Sequence, residues 1–188
     1  RIKTVFVGVG ITPTFSSLTA TQTTICEGSS TTITAAASST GGAPGAEFGT
    51  YCAPVIFTSP GATSDNITNV TFNTLNNNTG DGPGDYNYYA PGPGTTTTVN
   101  AGFSYTLSVS VNAAFSQAKA VFIDWNNNGS FADVGEMVLT GASSTAPASG
   151  SVLVPVAAAN AQVRMRVLCV FGGTPAATYA CSPNTFGF

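Results

Sequence analysis

The densest run of oxygen-bearing side chains is Asp124-Trp-Asn126-Asn-Asn128-Gly129-Ser130-Phe-Ala-Asp133-Val-Gly135-Glu136. Asp124, Asn126 and Asn128 stand at loop positions one, three and five, Gly129 follows at six, and carboxylates return at Asp133 and Glu136. A hard cation such as Ca2+ is held by such a set: side-chain oxygens from the first three, the backbone carbonyl of Ser130, and Asp133 or Glu136 to close the loop. The three carboxylates repel one another, and one divalent cation would offset most of that repulsion. The bidentate Glu of a helix-loop-helix calcium hand belongs at position twelve, where Gly135 stands; Glu136 comes one residue later, between flanks that read as strands. The same Asn/Gly-rich string also reads as a turn whose side chains bond their own backbone.

Other candidate chemistry is sparse. The chain has no His, which removes Ser-His and Cys-His nucleophile activation and His-ligated zinc. Asp81 and Asp85 are spaced as a glycosidase pair could be, yet they stand in a Gly/Pro-rich stretch and read as a solvated loop. Tyr86, Tyr88 and Tyr89 follow, flanked by Gly and Pro. Aromatic rings held by rigid turns can stack on sugars, so they are candidate glycan contacts, although such clusters more often pack over a sheet end. Cys26, Cys52, Cys169 and Cys181 have irregular spacings and no C-x-x-C pair. The reading is two disulfides formed in an oxidising compartment, with buried thiols as the alternative.

These groups must be carried by strands. Phe103 to Val111 alternates apolar and Ser/Thr residues, which puts one face on a core and the other in water. Val163-Arg-Met165-Arg-Val167 alternates in the same way, with Arg164 and Arg166 pointing opposite to the core residues. Ala120 to Asp124 is apolar on both faces, as a strand covered on two sides would be. Thr4–Val9, Thr31–Ala35, Val55–Thr58, Asn69–Leu75, Met137–Thr140 and Ser151–Val156 are further strand candidates. Trp125 reads as a core anchor. Many short strands between Gly, Pro, Asn and Ser clusters predict an all-β chain, an antiparallel β-sandwich of jelly-roll or immunoglobulin-like type with an additional N-terminal strand segment. The linker-like composition of Ala36 to Ala46 divides residues 1–46, with two short strands, from a sandwich over 47–188.

Charged residues are 7% of the 188-residue chain, against roughly 25% in ordinary domains. With net charge −3 there is no basic field for a phosphate backbone, so nucleic-acid binding is not expected. No apolar run reaches the ~20 residues of a membrane-spanning helix. A surface of Thr, Ser, Asn and Gly suits an extracellular or cell-surface setting, and the chain reads as a mature or excised piece.

Taken in order, Tyr51-Cys52, Ile67-Thr-Asn-Val70, Gly84-Asp85-Tyr86-Asn-Tyr88, the Phe103–Val111 strand, the Asp124-Trp125…Asp133…Gly135-Glu136 loop, Val154-Pro155 and Arg164-Met165-Arg166-Val167 resemble the GEVED domain from about Phe48 to Phe188. Thr23 to Ile33 bears a weaker resemblance to immunoglobulin-like and PKD-like repeats. The GEVED resemblance implies a β-sandwich accessory module of secreted and surface proteins in bacteria with type IX secretion, and not an enzyme. In the family's pattern Cys52 and Cys181 would sit close enough to bridge; the rival pairs Cys169 with Cys181 and Cys26 with Cys52.

The resemblance also sets an expectation for assembly. The sequence reaches Thr185–Phe188 where the family's closing motif and last strand should begin, and Arg1–Val9 is a strand with no evident partner. The favoured expectation is that the chain is a fragment of a longer polypeptide whose following residues complete the edge; the alternative is that a surplus strand and a deficient edge are completed between copies of the chain or neighbouring domains. The functional expectation is a non-catalytic, calcium-stabilised module of a bacterial extracellular adhesin or filament. The alternative is a carbohydrate-binding module of a secreted multidomain enzyme, with surface glycans as its partners.

Overall fold

In the computed structural model, residues 2–10, 15–20, 33–37, 51–52, 66–78 and 86–181 are described, with side chains in the last three stretches. The strands in chain order are β1 (Ile2–Gly10), β2 (Phe15–Ala20), β3 (Ile33–Ala37), β4 (Ile67–Phe72), β5 (Leu75–Asn77), β6 (Tyr86–Tyr88), β7 (Thr96–Asn100), β8 (Ser104–Val111), β9 (Gln117–Ile123), β10 (Met137–Ser144), β11 (Ala148–Leu153) and β12 (Gln162–Phe171). A 3-10 turn, Ala177–Ala180, follows β12. The protein is an all-β sandwich.

One sheet runs β10-β9-β12-β1-β6, with β7 also paired to β1; the facing sheet runs β11-β8-β4-β5. Their inner faces meet in the main core. Val70 and Phe72 of β4, Leu107 and Val109 of β8, and Val152 of β11 pack against Val121 and Ile123 of β9 and Val163, Met165 and Val167 of β12. The period-2 pattern of β8 is realised over its second half, where Leu107, Val109 and Val111 are buried between partly exposed serines. Phe103 lies before the strand and is exposed. Asn69–Leu75, expected as one strand, is a hairpin: β4 and β5 pair Phe72 with Leu75 around Asn73-Thr74, and Asn73 takes a positive φ of 51°. Asn is among the few non-glycine residues that adopt that conformation, and here its amide donates to the Thr98 carbonyl (2.8 Å).

β9 is buried along its entire length. Its outward residues Ala120 and Phe122 join Phe131, Leu168, Val170 and Ala180 in a second, smaller core on the back of the sheet, with Tyr51, Tyr86, Met137 and Tyr179 packed against it. The two-faced apolar pattern of this strand therefore has its predicted cause.

Three expectations require correction. The sequence predicts Arg1–Val9 to be a strand without a partner in its own domain, but β1 lies inside the larger sheet, antiparallel to β12 from Ile2↔Leu168 to Gly8↔Gln162 and parallel to β6 and β7. The boundary at residue 46 thus does not separate two sets of strands. Nor is the sandwich wholly antiparallel: β1 and its partners β6 and β7 are joined by a long excursion rather than a hairpin, and such a connection permits a parallel pair. β2 and β3 pair with each other in a two-stranded sheet of their own. Finally, Arg164 and Arg166 do point away from the main core but not into water; they are 3% and 0% exposed under the second core. Val55–Thr58 and Thr185–Phe188 lie outside the described residues.

Candidate functional site

The oxygen-rich loop is the hairpin connection between β9 and β10. Ile123 N–H donates to the Glu136 carbonyl (2.8 Å) and Asp124 N–H to the Arg164 carbonyl (3.0 Å), so both ends are pinned to the sheet. Inside the loop the side chains bond the backbone two residues on: Asn126 Oδ1 accepts from Asn128 N–H (3.0 Å), Asn128 Oδ1 from Ser130 N–H (2.9 Å), and Ser130 Oγ from Ala132 N–H (3.1 Å). This is the self-bonding turn that the Asn/Gly composition suggested. Gly129 has φ 85° and Gly135 φ 89°; no atom would lie within 4 Å of a Cβ on Gly135, so its backbone conformation rather than space calls for glycine.

The carboxylates sit at two depths. Asp124 is fully buried, and Oδ1 accepts from Asn128 N–H (3.1 Å) while Oδ2 accepts from Gly129 N–H (2.9 Å) and the Tyr51 hydroxyl (2.6 Å). Burial, reinforced by Asp124, holds the Tyr51 hydroxyl well above the ordinary phenol range. Asp133 is exposed; the amides of Asn126 (3.0 Å) and Asn128 (2.7 Å) donate to its Oδ2 and lower its carboxyl pKa. Glu136 is 2% exposed, accepts a long bond from Asp133 N–H at Oε2 (3.4 Å), and leaves Oε1 buried without a hydrogen-bond partner. Burial first, then the neighbouring Asp124, raises its carboxyl to about 7. Such a group is costly to ionise where it stands, and a cation beside it would lift that cost.

All six predicted ligands, Asp124, Asn126, Asn128, Ser130, Asp133 and Glu136, thus share one loop. Among the described residues no three Asp, Glu or Cys side chains form a metal-holding group by themselves. A cation here would draw on amide and carbonyl oxygens for the rest of its shell, as hard cations do. Trp125 is in the main core, and its carbonyl accepts from Ala159 N–H (2.6 Å), tying the loop to residues 155–161.

Behind the loop lies a clamp in which the role of Arg166 was not expected from the sequence. Cys52 and Cys181 form a disulfide (S–S 2.02 Å, Cα–Cα 5.5 Å). The buried Arg166 guanidinium donates to the Cys52 carbonyl (2.8 Å) and to the Ala180 carbonyl, and lies 4.8 Å from the centre of the Phe131 ring. One cation therefore joins both sides of the bridge to the back of the sheet. Burial without a carboxylate lowers its pKa to about 10. Arg164 stacks over Tyr51 (4.5 Å) and Tyr88 (5.7 Å). A signal for this layer was present: Arg166 pairs in register with Phe122, an outward apolar residue of β9, so the face they share had to be covered.

The remaining predicted residues fall as follows. The Cys52–Cys181 pairing implied by the family pattern is the one observed, and Cys169 is a buried thiol in the main core, which overturns the reading of two disulfides. Cys26, Asp81 and Asp85 lie outside the described residues. Tyr86, Tyr88 and Tyr89 are half-buried. Tyr86 packs on the second core, Tyr89 on the main core, and Tyr88 under Arg164.

The family model of the GEVED domain matches residues 118–187, from β9 through the loop and β12 beyond Cys181. Over this stretch the chain is similar to the GEVED domain. No curated protein and no solved structure matches the chain significantly. The GEVED stretch thus contains the whole candidate cation loop, Arg164, Arg166 and Cys181, while Tyr51, Cys52 and β1 reach it from upstream.

Proposed function

We propose that this chain is a non-catalytic, calcium-stabilised module of a bacterial extracellular adhesin or filament. The observation that carries the calcium half is Glu136: a carboxylate with a buried, unpartnered oxygen, closing a loop that already holds the buried Asp124 and the oxygens of Asn126, Asn128 and Ser130. A buried unpaired acceptor costs free energy that a ligated cation returns. The extracellular half rests on the Cys52–Cys181 bridge, which belongs to oxidising compartments, and on a surface nearly devoid of charge. Partners in this reading are further copies or neighbouring domains.

Thermal unfolding in a calcium-free chelating buffer and in about 2 mM calcium tests the reading. With Kd near 10⁻⁴ M the ion should add roughly 2 kcal/mol of stability. Asp124→Ala and Glu136→Gln should each remove the calcium-dependent increment, whatever they do to the baseline. Coincident melting curves of the unaltered protein, with and without the ion, would refute the calcium reading.

A further inference from the structure

We propose that β1 is an exchangeable strand, and that the slot it fills accepts the same strand from a second copy of this chain. The inference deepens the assembly half of the reading above and rests on it.

Consider the larger sheet without β1. β12 would keep β9 on one side and present an open edge on the other, along residues Gln162 to Leu168. Most of that edge belongs to buried residues, Val163 to Leu168, whose backbone groups cannot be left unsatisfied at low cost. Among the described residues, β6 and β7 join the sheet only through β1, at Tyr86 to Tyr88 and at Thr96 to Asn100. The slot therefore has two prepared walls, one antiparallel to its occupant and one parallel, and is closed only when an extended strand enters it.

The occupant is attached in a way that suits exchange. Every other strand pair among the described residues is antiparallel, and the parallel ladders are those of β1. β1 is followed by β2 and β3, which among the described residues pair with each other and with neither sandwich sheet. Among the described residues no ladder pairs β1 with the strands that follow it directly, so none of them dictates which copy's β1 lies in a given slot. Lys3-Thr-Val5-Phe-Val7-Gly-Val9 has Val at every second position, a repeat that any copy of the slot reads alike. The ladder bonds made in a neighbour are those made at home, so exchange changes connectivity and few contacts. When each copy donates to the next, the contact is heterologous and extends into a filament.

The register supplies the test. Gly8 pairs with Thr98, an exposed residue of β7, and Gly10 with the exposed Asn100. Full-length chains carrying Gly8→Cys are mixed with chains carrying Thr98→Cys, unfolded and refolded together at high concentration with 2 mM calcium, oxidised, and resolved on non-reducing gels. The expected result is a covalent dimer several-fold above that of either variant alone, since the two new thiols meet only when one copy's β1 lies beside another's β7. A mixture no more cross-linked than the single variants, while the double variant closes on itself as a monomer, would overturn the proposal. If Gly8→Cys disturbs the far-ultraviolet spectrum, Gly10→Cys with Asn100→Cys answers the same question. Light scattering on the unaltered chain separates the two readings. Assembly without cross-links leaves the filament module standing and sinks strand exchange, whereas a calcium-insensitive melt strikes the calcium reading alone.

Discussion

Replacing Cys52 and Cys181 together by Ala should produce the largest single loss of stability outside the cores. The bridge spans a sequence separation of 129 residues. In the chain-entropy account a loop of that length removes about 17 cal/mol/K from the unfolded ensemble, or ~5 kcal/mol at 25 °C, with typical measured values of ~2–4 kcal/mol. The folded state should tolerate the change, because Arg166 still ties the Cys52 and Ala180 carbonyls to β12. The loss is thus assigned chiefly to the unfolded chain. An unfolding entropy of ~2.1 cal/mol/K per residue gives roughly 0.4 kcal/mol/K for this protein, so the midpoint should fall by about 5–12 °C. Urea unfolding of both proteins under non-reducing conditions is the assay. The double variant should show a lower midpoint and a steeper m-value, since an uncrosslinked chain exposes more surface on unfolding. Equal m-values with a loss below about 1 kcal/mol would show that the bridge does not constrain the unfolded chain, and the reasoning would fail.

Three further outcomes follow from particular contacts. Arg166→Met should cost roughly 2–4 kcal/mol in chemical denaturation, because it strands the buried Ala180 carbonyl and the partly buried Cys52 carbonyl that the guanidinium now serves; a neutral result would mean that those carbonyls are hydrated. Glu136 keeps its proton to about 7 in the folded chain but gives it up near 4.5 when unfolded. The folded state therefore binds more protons between those values, and in calcium-free buffer stability should fall as pH rises from 4.5 to 7; Glu136→Gln should flatten that slope. Gly141→Ala should destabilise by about 1–3 kcal/mol, since a Cβ there would lie 2.5 Å from the Ala148 Cβ and 3.4 Å from Lys119 Cδ. That strip is where the buried Lys119 reaches the Ser144 and Ala146 carbonyls, and a stable Gly141→Ala protein would show that the β10–β11 turn can move aside.

Much of this architecture is written in local pattern. Alternation marked β8, uniform apolarity marked β9 as covered on two faces, and the placement of Asn, Gly and Asp outlined the loop from Asp124 to Glu136, because side-chain period and turn chemistry act over a few residues. The self-bonding of Asn126 and Asn128 and the positive φ of Gly129 and Gly135 are of the same kind.

Long-range pairing decided the rest. No local feature of Ile2–Gly10 says that it will lie between β12 and β7, since an extended apolar strand presents the same backbone ladder to any open edge. Val163-Arg-Met165-Arg-Val167 reads as a half-exposed strand, and only the arrival of Tyr51-Cys52, Phe131 and Ala180 on its outer face turns Arg164 and Arg166 from solvated charges into buried ones. Glu136 is ambiguous in the same way. Spacing could make it a candidate ligand, but its burial, and with it the carboxyl held near 7, comes from the sheet that the loop closes over. Periodicity is a property of neighbours along the chain, whereas desolvation depends on which distant segment covers a face.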